Sequence, residues 1–364
     1  MSVQVGNVND GIHSTAAADA TVQRETGRST GPIELSVVIV TYNEADRIKA
    51  CIESVISSCR DRVDFEVILV DSNSTDGTVD IATEYPITVA RIADDELTTP
   101  GAGRYVGTKI ARGERVLFVD GDMVIHAEWL GRALDVLDAQ PTVAAVDGHL
   151  NTPSAIETTT HVEAVRGVAL YRAEALDAVG GFDPYLQSLE DIHLGFELSA
   201  AGYELRRLPE VAGDHPPRTA SAPEILRRWR RGYTFGTGQA LRRSAGSKQL
   251  LAKHLSRIRY RLALLAWLCA GVVSILFPLI LLSWLGFSTL AVVLLTVRLG
   301  VRDAIRILLA KAVGVVGLVR GLFDPPAPPE SDRKARNSLH DGWYVSESGA
   351  ISPRAGRPCP GDQG

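Results

Sequence analysis

The stretch VLFVDGDM, residues 116–123, joins an apolar run to two aspartates that are separated by one glycine. Side chains alternate along an extended chain, so Asp120 and Asp122 point to the same side. Two carboxylates this close repel each other unless a cation lies between them. The stretch therefore indicates a buried strand, and whether the strand ends in a metal site depends on the rest of the chain. The alternative is a solvated loop in which Gly121 forms a turn.

Strand and helix patterns alternate on both sides of this stretch, from residue 35 to residue 150. Runs of β-branched residues predict buried strands, and apolar residues at helical spacing predict helices between them. We expect strands at 35–41, 65–70, 87–92, 115–119 and 143–146, and helices at 44–58, 75–84, 100–112 and 127–139. The alternation predicts an α/β fold, in which helices cover a mainly parallel, Rossmann-like sheet.

Three polar segments follow predicted strands, where ligands bind in sheets of this kind. They are TYNEA (41–45), DSNSTDG (71–77) and DGDM (120–123). The first strand is not followed by Gly-x-Gly-x-x-Gly, and the sequence has no Gly-x-x-x-x-Gly-Lys-Ser/Thr motif. These absences argue against a dinucleotide site and a P-loop.

Five motifs occur in the order found in family 2 glycosyltransferases, which have the GT-A fold, and the chain resembles that family over about residues 33–240. The motifs are VVIVTYNEADRI (37–48), ILVDSNSTDGT (68–78), GAGRYVGTKIARGERVLFVDGDM (101–123), ALDAVGGFDPYLQSLEDIHLGFELSAAGYEL (175–205) and GDHPPR (213–218). One departure is Tyr105, which replaces the Asn of the family's Ala-Arg-Asn-x-Gly pattern.

The resemblance implies a nucleotide-sugar site at the ends of the strands. The positions that match the family's donor contacts are Thr41, Tyr42, Glu44, Asp71, Arg104, Asp120 and Gly121. Asp122 is the implied direct ligand of a divalent metal, Mg²⁺ or Mn²⁺, with Asp120 and His215 as further contacts. A hard cation held by carboxylate oxygens neutralises the charge that develops on a diphosphate leaving group.

An acidic pair, Glu190 and Asp191, matches the acceptor side of the family's site. An inverting transfer needs a base that takes the proton of the acceptor hydroxyl. The resemblance implies Asp191 as this base, with Glu190 as the second candidate. The alternative is that both acids complement the dipole of a helix that runs to residue 201.

The C-terminal third of the chain carries a membrane signal. Residues 225–261 contain eleven Lys or Arg and no acid, which could suit nucleic acid, but residues 262–297 follow without a single charge. A membrane span needs about 20 apolar residues. Basic residues flank the apolar segment on both sides, so the positive-inside rule predicts a hairpin of two spans with both ends in the cytoplasm. One kinked or tilted span is the alternative.

These patterns divide the chain into six parts. We expect a flexible tail at 1–31, a GT-A domain at 32–245, a basic juxtamembrane helix at 246–261 and a transmembrane segment at 262–297. An amphipathic surface helix, or a third span, follows at 303–322, and a flexible tail at 323–364.

The family's processive synthases carry Gln-x-x-Arg-Trp, but the matching residues here are ILRRW (225–229). The Gln is absent and few spans follow, so the sequence indicates the transfer of one sugar. Arg228, Trp229 and Arg231 suit an anionic headgroup near a membrane, and a lipid phosphate is the natural candidate. The alternative is that these basic residues only flank the apolar segment, as the positive-inside rule describes.

The sequence thus predicts a membrane-anchored, metal-dependent, inverting glycosyltransferase of hexosyltransferase type. Its expected partners are a UDP- or GDP-sugar, a lipid-linked acceptor (a polyprenyl phosphate or lipid-linked glycan) and the cell membrane, with the catalytic domain in the cytoplasm and no nucleic acid. Two alternatives remain open. One is a sugar nucleotidyltransferase, and the other is an inactive membrane scaffold with a transferase-like domain.

Overall fold

The computed structural model of the protein describes residues 3–6, 33–92, 99–154, 158–216, 221–324, 343–345 and 350–353. These form two compact units. The first contains residues 1–185, 190–216 and 327–364, and the second contains residues 186–189 and 217–326. Within the predicted tails the structure describes three short strands and, at 323–324, the end of the last helix and the residue after it. The rest of both tails lies outside the described residues, as does Arg218 of the GDHPPR motif.

The first unit is built on one sheet. Its strands are β1 Val3–Gly6, β2 Leu35–Thr41, β3 Phe65–Asp71, β4 Thr88–Ile92, β5 Arg115–Asp120, β6 Val124–Ile125, β7 Val143–Leu150, β8 Thr160–His161, β9 Ala169–Arg172, β10 Glu204–Asp214, β11 Trp343–Val345 and β12 Ala350–Pro353. Among the described residues the order is β11-β12-β1-β4-β3-β2-β5-β9-β7-β10-β6, with β8 paired to β10.

The centre of the sheet, β4-β3-β2-β5, is parallel as predicted. The sequence did not predict β9, which lies between β5 and β7 and is antiparallel to both. The strand predicted at 143–146 therefore does not continue the parallel pairing of β5. It pairs in parallel with β10 instead.

Helices cover both faces of this sheet. They are α1 Ile48–Cys59, α2 Thr78–Ala82, α3 Pro100–Ile110, α4 Ala127–Ala139, α5 Ala173–Val179 and α6 Glu190–Ala200. Apolar residues of α1 and α4 pack in one core cluster with one face of the sheet. Those of α3, α5 and α6 pack in a second cluster with the other face. Helix α2 is shorter than the predicted 75–84, and the residues before it, Thr75 and Asp76, bond to the loop after β2.

Helix α3 lies very close to strand β2 because glycines face the strand. A Cβ on Gly103 would lie 2.5 Å from Val40 Cγ1. A Cβ on Gly107 would overlap Val38 Cγ1 and lie 3.1 Å from Cγ2. Val38 is fully buried, and its β-branched side chain has little rotamer freedom with which to withdraw.

We therefore expect Gly107→Ala to destabilise the first unit by about 1–3 kcal/mol, the usual effect of overpacking a tight core. The measurement is the free energy of unfolding in denaturant. Gly246→Ala is the control, since its added methyl group would meet nothing within 4 Å. Equal stabilities of the two variants would contradict the prediction.

The second unit is helical. Its helices are α7 Ala222–Arg230, α8 Gly236–Arg243, α9 Lys248–Ser274, α10 Pro278–Leu299 and α11 Val301–Phe323, with a 3₁₀ turn at Ser244–Gly246. Helices α7 and α8, which lie within the predicted 32–245 segment, belong to this unit. The predicted division of the chain stays a prediction. Helix α11 covers the predicted 303–322. It packs closely on the end of α7 and the start of α8, because Gly317 and Gly321 face the backbone of Thr234 and Phe235.

One helix among the described residues, α10, is long and apolar enough to cross a membrane by its length and composition. The basic juxtamembrane segment and residues 262–274 form a single helix, α9, which ends before Pro278. The uncharged part of α9 extends about 20 Å, which is shorter than a hydrocarbon core of about 30 Å. The two-span hairpin stays a prediction.

Candidate functional site

Strand register brings the predicted donor residues together at one edge of the sheet. Thr41 is paired with Asp71 across β2 and β3, and Val40 with Asp120 across β2 and β5. Asp71 is in turn paired with Arg91 across β3 and β4. Because these parallel strands end in register, their last residues form a continuous row.

Hydrogen bonds join the loops that follow β2 and β3. The backbone N–H groups of Asn43 and Glu44 donate to Ser74 Oγ at 2.8 Å and Thr78 Oγ1 at 2.9 Å. In the opposite direction, the Thr75 N–H donates to Asn43 Oδ1 at 2.8 Å. Asn43 has a left-handed backbone with φ 54°, which Asn tolerates better than most residues.

Asp76 is part of the same connection. Its carboxylate accepts the N–H of Thr78, the first residue of α2, at 3.1 Å and also the N–H of Ala45 at 3.1 Å. Asp76 thus connects the start of α2 to the first loop, which carries the predicted donor residues Tyr42 and Glu44. The exposed fraction of Tyr42 is 39%, so its ring is open to a ligand.

Two buried oxygen atoms in the row have no hydrogen-bond partner among the described residues. They are Thr41 Oγ1 and Asp71 Oδ1. The other oxygen of Asp71 accepts the Ser74 N–H at 2.9 Å. Burial raises the pKa of Asp71, and hydrogen bonds from Ser74 act against that rise. Buried polar atoms without partners are costly, so their presence here indicates a place where a ligand donates hydrogen bonds.

Arg91, at the end of β4, is a site residue that the sequence did not predict. Its Nε lies 3.7 Å from Asp71 Oδ2, and its Nη2 donates to Asn73 Oδ1 at 2.7 Å. The only sequence signal is a charged residue near the end of a buried strand. Its closeness to Asp71 depends on strand order, which the sequence pattern did not provide.

Gly121 lies too close to Thr41 to be replaced by a residue with a side chain. A Cβ at this position would lie 2.8 Å from Thr41 Oγ1 and 2.9 Å from Thr41 Cβ. The glycine therefore lets the loop after β5 lie directly against the end of β2. This contact places Asp120 and Asp122 beside the first loop. The pKa of Glu44 in that loop is raised, first by burial and next by the charge of Asp122.

Asp122 and His215 form a pair that fits a metal ion. Asp122 Oδ2 lies 3.3 Å from His215 Nε2, without the geometry of a hydrogen bond. His215 Nδ1 lies 2.6 Å from the Pro216 carbonyl oxygen, which can only accept, so Nδ1 is the donor. The other ring nitrogen, Nε2, faces the Asp122 carboxylate, and both groups are metal ligands that a cation between them could use.

The pair is not a complete metal cage. Within the described part of the chain, no group of three or more His, Cys, Asp or Glu side chains could hold a metal. Mg²⁺ and Mn²⁺ prefer oxygen ligands and are commonly bound through one or two carboxylates together with substrate phosphates. The two side chains therefore fit a metal whose remaining ligands come from a bound diphosphate and water.

Arg104 joins Asp120 to the acidic pair. From α3, its Nη2 donates to Asp120 Oδ1 at 2.6 Å and its Nη1 donates to Glu190 Oε1 at 2.5 Å. Arg104 and Glu190 are both buried. The sequence predicted Arg104 as a donor contact, whereas in the structure its guanidinium contacts these two carboxylates.

Glu190 and Asp191 lie in the first turn of α6. Burial raises the pKa of Glu190 to about 7, against the opposing charge of Arg104. Burial also raises the pKa of Asp191, again opposed by Arg104. Glu190 is bound by Arg104, whereas Asp191 forms no ion pair within 4 Å among the described residues. The assignment of Asp191 as the base stays a prediction.

The remaining predicted residues, Arg228, Trp229 and Arg231, lie in the second unit. The Arg228 guanidinium stacks over the Tyr233 ring at 5.4 Å, and Trp229 packs edge-on against Phe235 with ring centroids 5.3 Å apart. Arg228 and Arg231 are exposed. Beside them is an apolar cavity of about 170 Å³, which is lined by Leu226, Trp229, Ala312, Val313 and Val316.

Comparison with known proteins identifies the family. The Glycosyl transferase family 2 profile matches residues 36–185, and the Glycosyl transferase family group 2 profile matches residues 161–301. The glycosyltransferase AglE of Haloferax volcanii is 30% identical over 226 residues, which are 56% of this chain and 72% of that protein. The chain belongs to glycosyl transferase family 2, and the predicted enzyme class is confirmed.

Other relatives match shorter regions. The poly(ribitol-phosphate) beta-glucosyltransferase of Bacillus spizizenii is 38% identical over 104 residues, which are 28% of this chain and 16% of that protein. The chain thus spans less than a fifth of the length of that relative.

Solved structures confirm the GT-A fold. The mannosyltransferase PcManGT from Pyrobaculum calidifontis, in complex with GDP-Man and Mn²⁺, has a TM-score of 0.58 at 20% identity, covering 81% of this chain and 89% of that chain. TarS of Staphylococcus aureus in complex with UDP-GlcNAc has a TM-score of 0.50 at 20% identity, covering 90% of this chain and 98% of that chain.

Proposed function

We propose that this glycosyltransferase is an inverting, metal-dependent enzyme that moves one sugar from a UDP- or GDP-sugar to a lipid-linked acceptor at the cytoplasmic face of a membrane. The acceptor is a polyprenyl phosphate or a lipid-linked glycan. The observation that carries the proposal is the row of strand ends, where Thr41, Asp71 and Asp120 are adjacent and Asp122 faces His215.

The donor would lie along this row. Carboxylates accept strongly from N–H and hydroxyl groups, so Asp71 would bind the base or ribose and Asp120 the ribose. Asp122 and His215 would hold a divalent metal, Mg²⁺ or Mn²⁺, whose other ligands would be oxygens of the diphosphate and of water. When bound, the metal would neutralise the charge on the diphosphate as it leaves.

Asp191 would perform the proton transfer. Where the acceptor is a hydroxyl of a lipid-linked glycan, Asp191 would take the proton of that hydroxyl as its oxygen attacks C1 of the sugar. The bond between C1 and the diphosphate breaks while the new C1–O bond forms on the opposite face, which inverts the configuration. The proton is then on Asp191 and the electron pair is on the nucleoside diphosphate.

Basic and apolar residues of the second unit support the proposal of a lipid acceptor. Helix α7 carries Arg227, Arg228 and Arg230 in its last turn, and Leu226 and Trp229 open the apolar cavity beside them. Arginine binds phosphate oxygens through paired N–H groups, and an apolar cavity suits a hydrocarbon chain. Helix α10 exposes large apolar side chains, including Leu279 at 81% and Phe287 at 64%, which a lipid phase would cover.

The test uses the full chain in detergent, with Mn²⁺, lipid extract and a panel of radiolabelled nucleotide-sugars. We expect one donor to release nucleoside diphosphate and its label to enter the lipid fraction. Release without label in the lipid fraction would contradict the lipid acceptor. No binding or release with any donor would contradict the transferase activity and favour the inactive scaffold.

A matched pair of variants tests the acceptor site separately. The double variant Arg228→Ala/Arg231→Ala should lose label in the lipid fraction while its affinity for the nucleoside diphosphate stays unchanged. Arg298→Ala/Arg302→Ala, which removes basic residues that flank α10, is the control. Equal losses of label in both double variants would mean that these basic residues only flank the membrane segment and do not bind the acceptor.

The pH dependence of kcat should reflect the ionisation of Asp191. A base acts only when ionised, and burial raises the pKa of this carboxyl group above its usual 3.8. Glu190 beside it has a pKa of about 7, so the two titrate as a pair. We therefore expect kcat to fall as the pH decreases from about 8 to about 5, which is a higher pH than the one at which a free aspartate becomes protonated. A flat profile over this range would contradict Asp191 as base.

A further inference from the structure

Arg104 contacts two parts of the site that belong to different sequence motifs. Its Nη2 bonds to Asp120, which ends β5 on the donor side, and its Nη1 bonds to Glu190, which begins α6 on the acceptor side. Only 7% of the Arg104 side chain is exposed. The guanidinium also lies 5.8 Å from the centroid of the Phe182 ring.

The backbone around Arg104 is packed tightly against the start of α6. A Cβ on Gly101, three residues earlier on α3, would lie 2.5 Å from the Asp183 carbonyl oxygen and 3.2 Å from Glu190 Cβ. Glycine at 101 thus permits the short distance that Arg104 bridges. The close approach and the ion pair are two separate features that join α3 to the residue before Asp191.

The chemistry of this contact requires arginine. A guanidinium has several N–H donors in one plane and can bond two carboxylates in different directions, whereas a lysine ammonium is a single compact charge. The guanidinium and Glu190 are buried and 28% of the Asp120 side chain is exposed, so the loss of Arg104 would leave Glu190 as a buried charge without compensation. One rigid group therefore contacts both carboxylates.

We propose that Arg104 is a positioning residue that links the donor-binding Asp120 to helix α6. Through this link, the carboxylate of Asp191 is held at the acceptor when the donor is bound. This inference rests on the proposed function. It assigns Arg104 a role through Asp120 and Glu190, in place of the direct donor contact expected from the sequence.

A double-mutant cycle tests the link. We expect Arg104→Lys and Glu190→Gln each to lower kcat by about 30-fold, while the Kd for nucleoside diphosphate with Mn²⁺ changes by less than about 3-fold. The double variant should be no slower than the slower single variant, because both changes break the same connection. Arg207→Lys is the control, since Arg207 forms an ion pair with the buried Asp147, whose other hydrogen bond comes from the Arg166 N–H and not from a proposed site residue. This control should leave kcat unchanged.

A second measurement is independent of turnover. Binding of nucleoside diphosphate with Mn²⁺ should slow hydrogen exchange of the amides at the start of α6 in the wild-type chain and in Arg207→Lys. The slowing should be absent in Arg104→Lys, although the nucleotide still binds. Thermal unfolding of all variants checks that each is folded.

Each contrary outcome has a separate meaning. A large rise in the nucleotide Kd with unchanged kcat in Arg104→Lys would overturn the link and make Arg104 a donor contact. Effects that multiply in the double variant, or slowed exchange that persists in Arg104→Lys, would also overturn it. If the wild-type chain turns over normally, the proposed function survives these results. Failure of the wild-type chain to bind any nucleotide would overturn both.

Discussion

Asp122→Asn should reduce nucleoside diphosphate release by about 1,000-fold, because it removes the carboxylate charge that faces His215. The substitution keeps the size of the side chain, so the loop after β5 and its contact with Thr41 should remain intact. Metal stabilisation of a leaving group contributes several kcal/mol, and each 1.36 kcal/mol changes the rate tenfold. The measurement is the initial rate of release at saturating donor and at the Mn²⁺ concentration that saturates the wild-type enzyme.

The control for Asp122→Asn is Asp138→Asn. Asp138 forms an ion pair with Arg115 and is more than half exposed, so its loss should change neither rate nor fold noticeably. Raising the Mn²⁺ concentration should restore part of the lost rate in Asp122→Asn if His215 and the diphosphate still hold the ion. Retention of more than about a tenth of the wild-type rate would contradict Asp122 as a metal ligand.

Asp191→Asn should lower kcat by about 100- to 10,000-fold, which is the usual contribution of a positioned general base. The amide has the same shape but cannot accept the proton of the acceptor hydroxyl. Donor binding should be unchanged, because Asp71, Asp120 and Asp122 remain. The measurements are kcat for transfer and the Kd for the nucleoside diphosphate with Mn²⁺.

Asp177→Asn is the matched control, since Asp177 is an exposed aspartate of α5. It should retain the wild-type kcat. If Asp191→Asn keeps most of its activity while Glu190→Gln is inactive with normal donor binding, the roles of the two acids are reversed. In that case the Arg104 ion pair would orient the base itself.

Much of the first unit could be predicted because its signals are local. The β-branched run at Leu35–Thr41 and the apolar periodicity of Ala127–Ala139 specify a strand and a helix whose bounds match the prediction. The polar segments after β2, β3 and β5 could also be predicted as one site, because parallel strands bring their carboxyl ends to the same edge.

Features that depend on distant partners could not be predicted in this way. Strand β9 is four residues long, and its insertion between β5 and β7 is decided by pairing rather than by its own pattern. The position of Arg91 beside Asp71 follows from strand order. The Arg104–Glu190 ion pair joins residues 86 positions apart, and no periodicity in the sequence encodes such a separation.

The bonds between the loops after β2 and β3 affect the thermodynamics of donor binding. Each loop donates backbone N–H groups to side chains of the other, through Asn43, Ser74, Asp76 and Thr78. Two loops that are ordered before a ligand arrives lose little conformational entropy when it binds. The affinity for the nucleotide should therefore reflect direct contacts with the base and ribose, with only a small entropic penalty from folding of the loops.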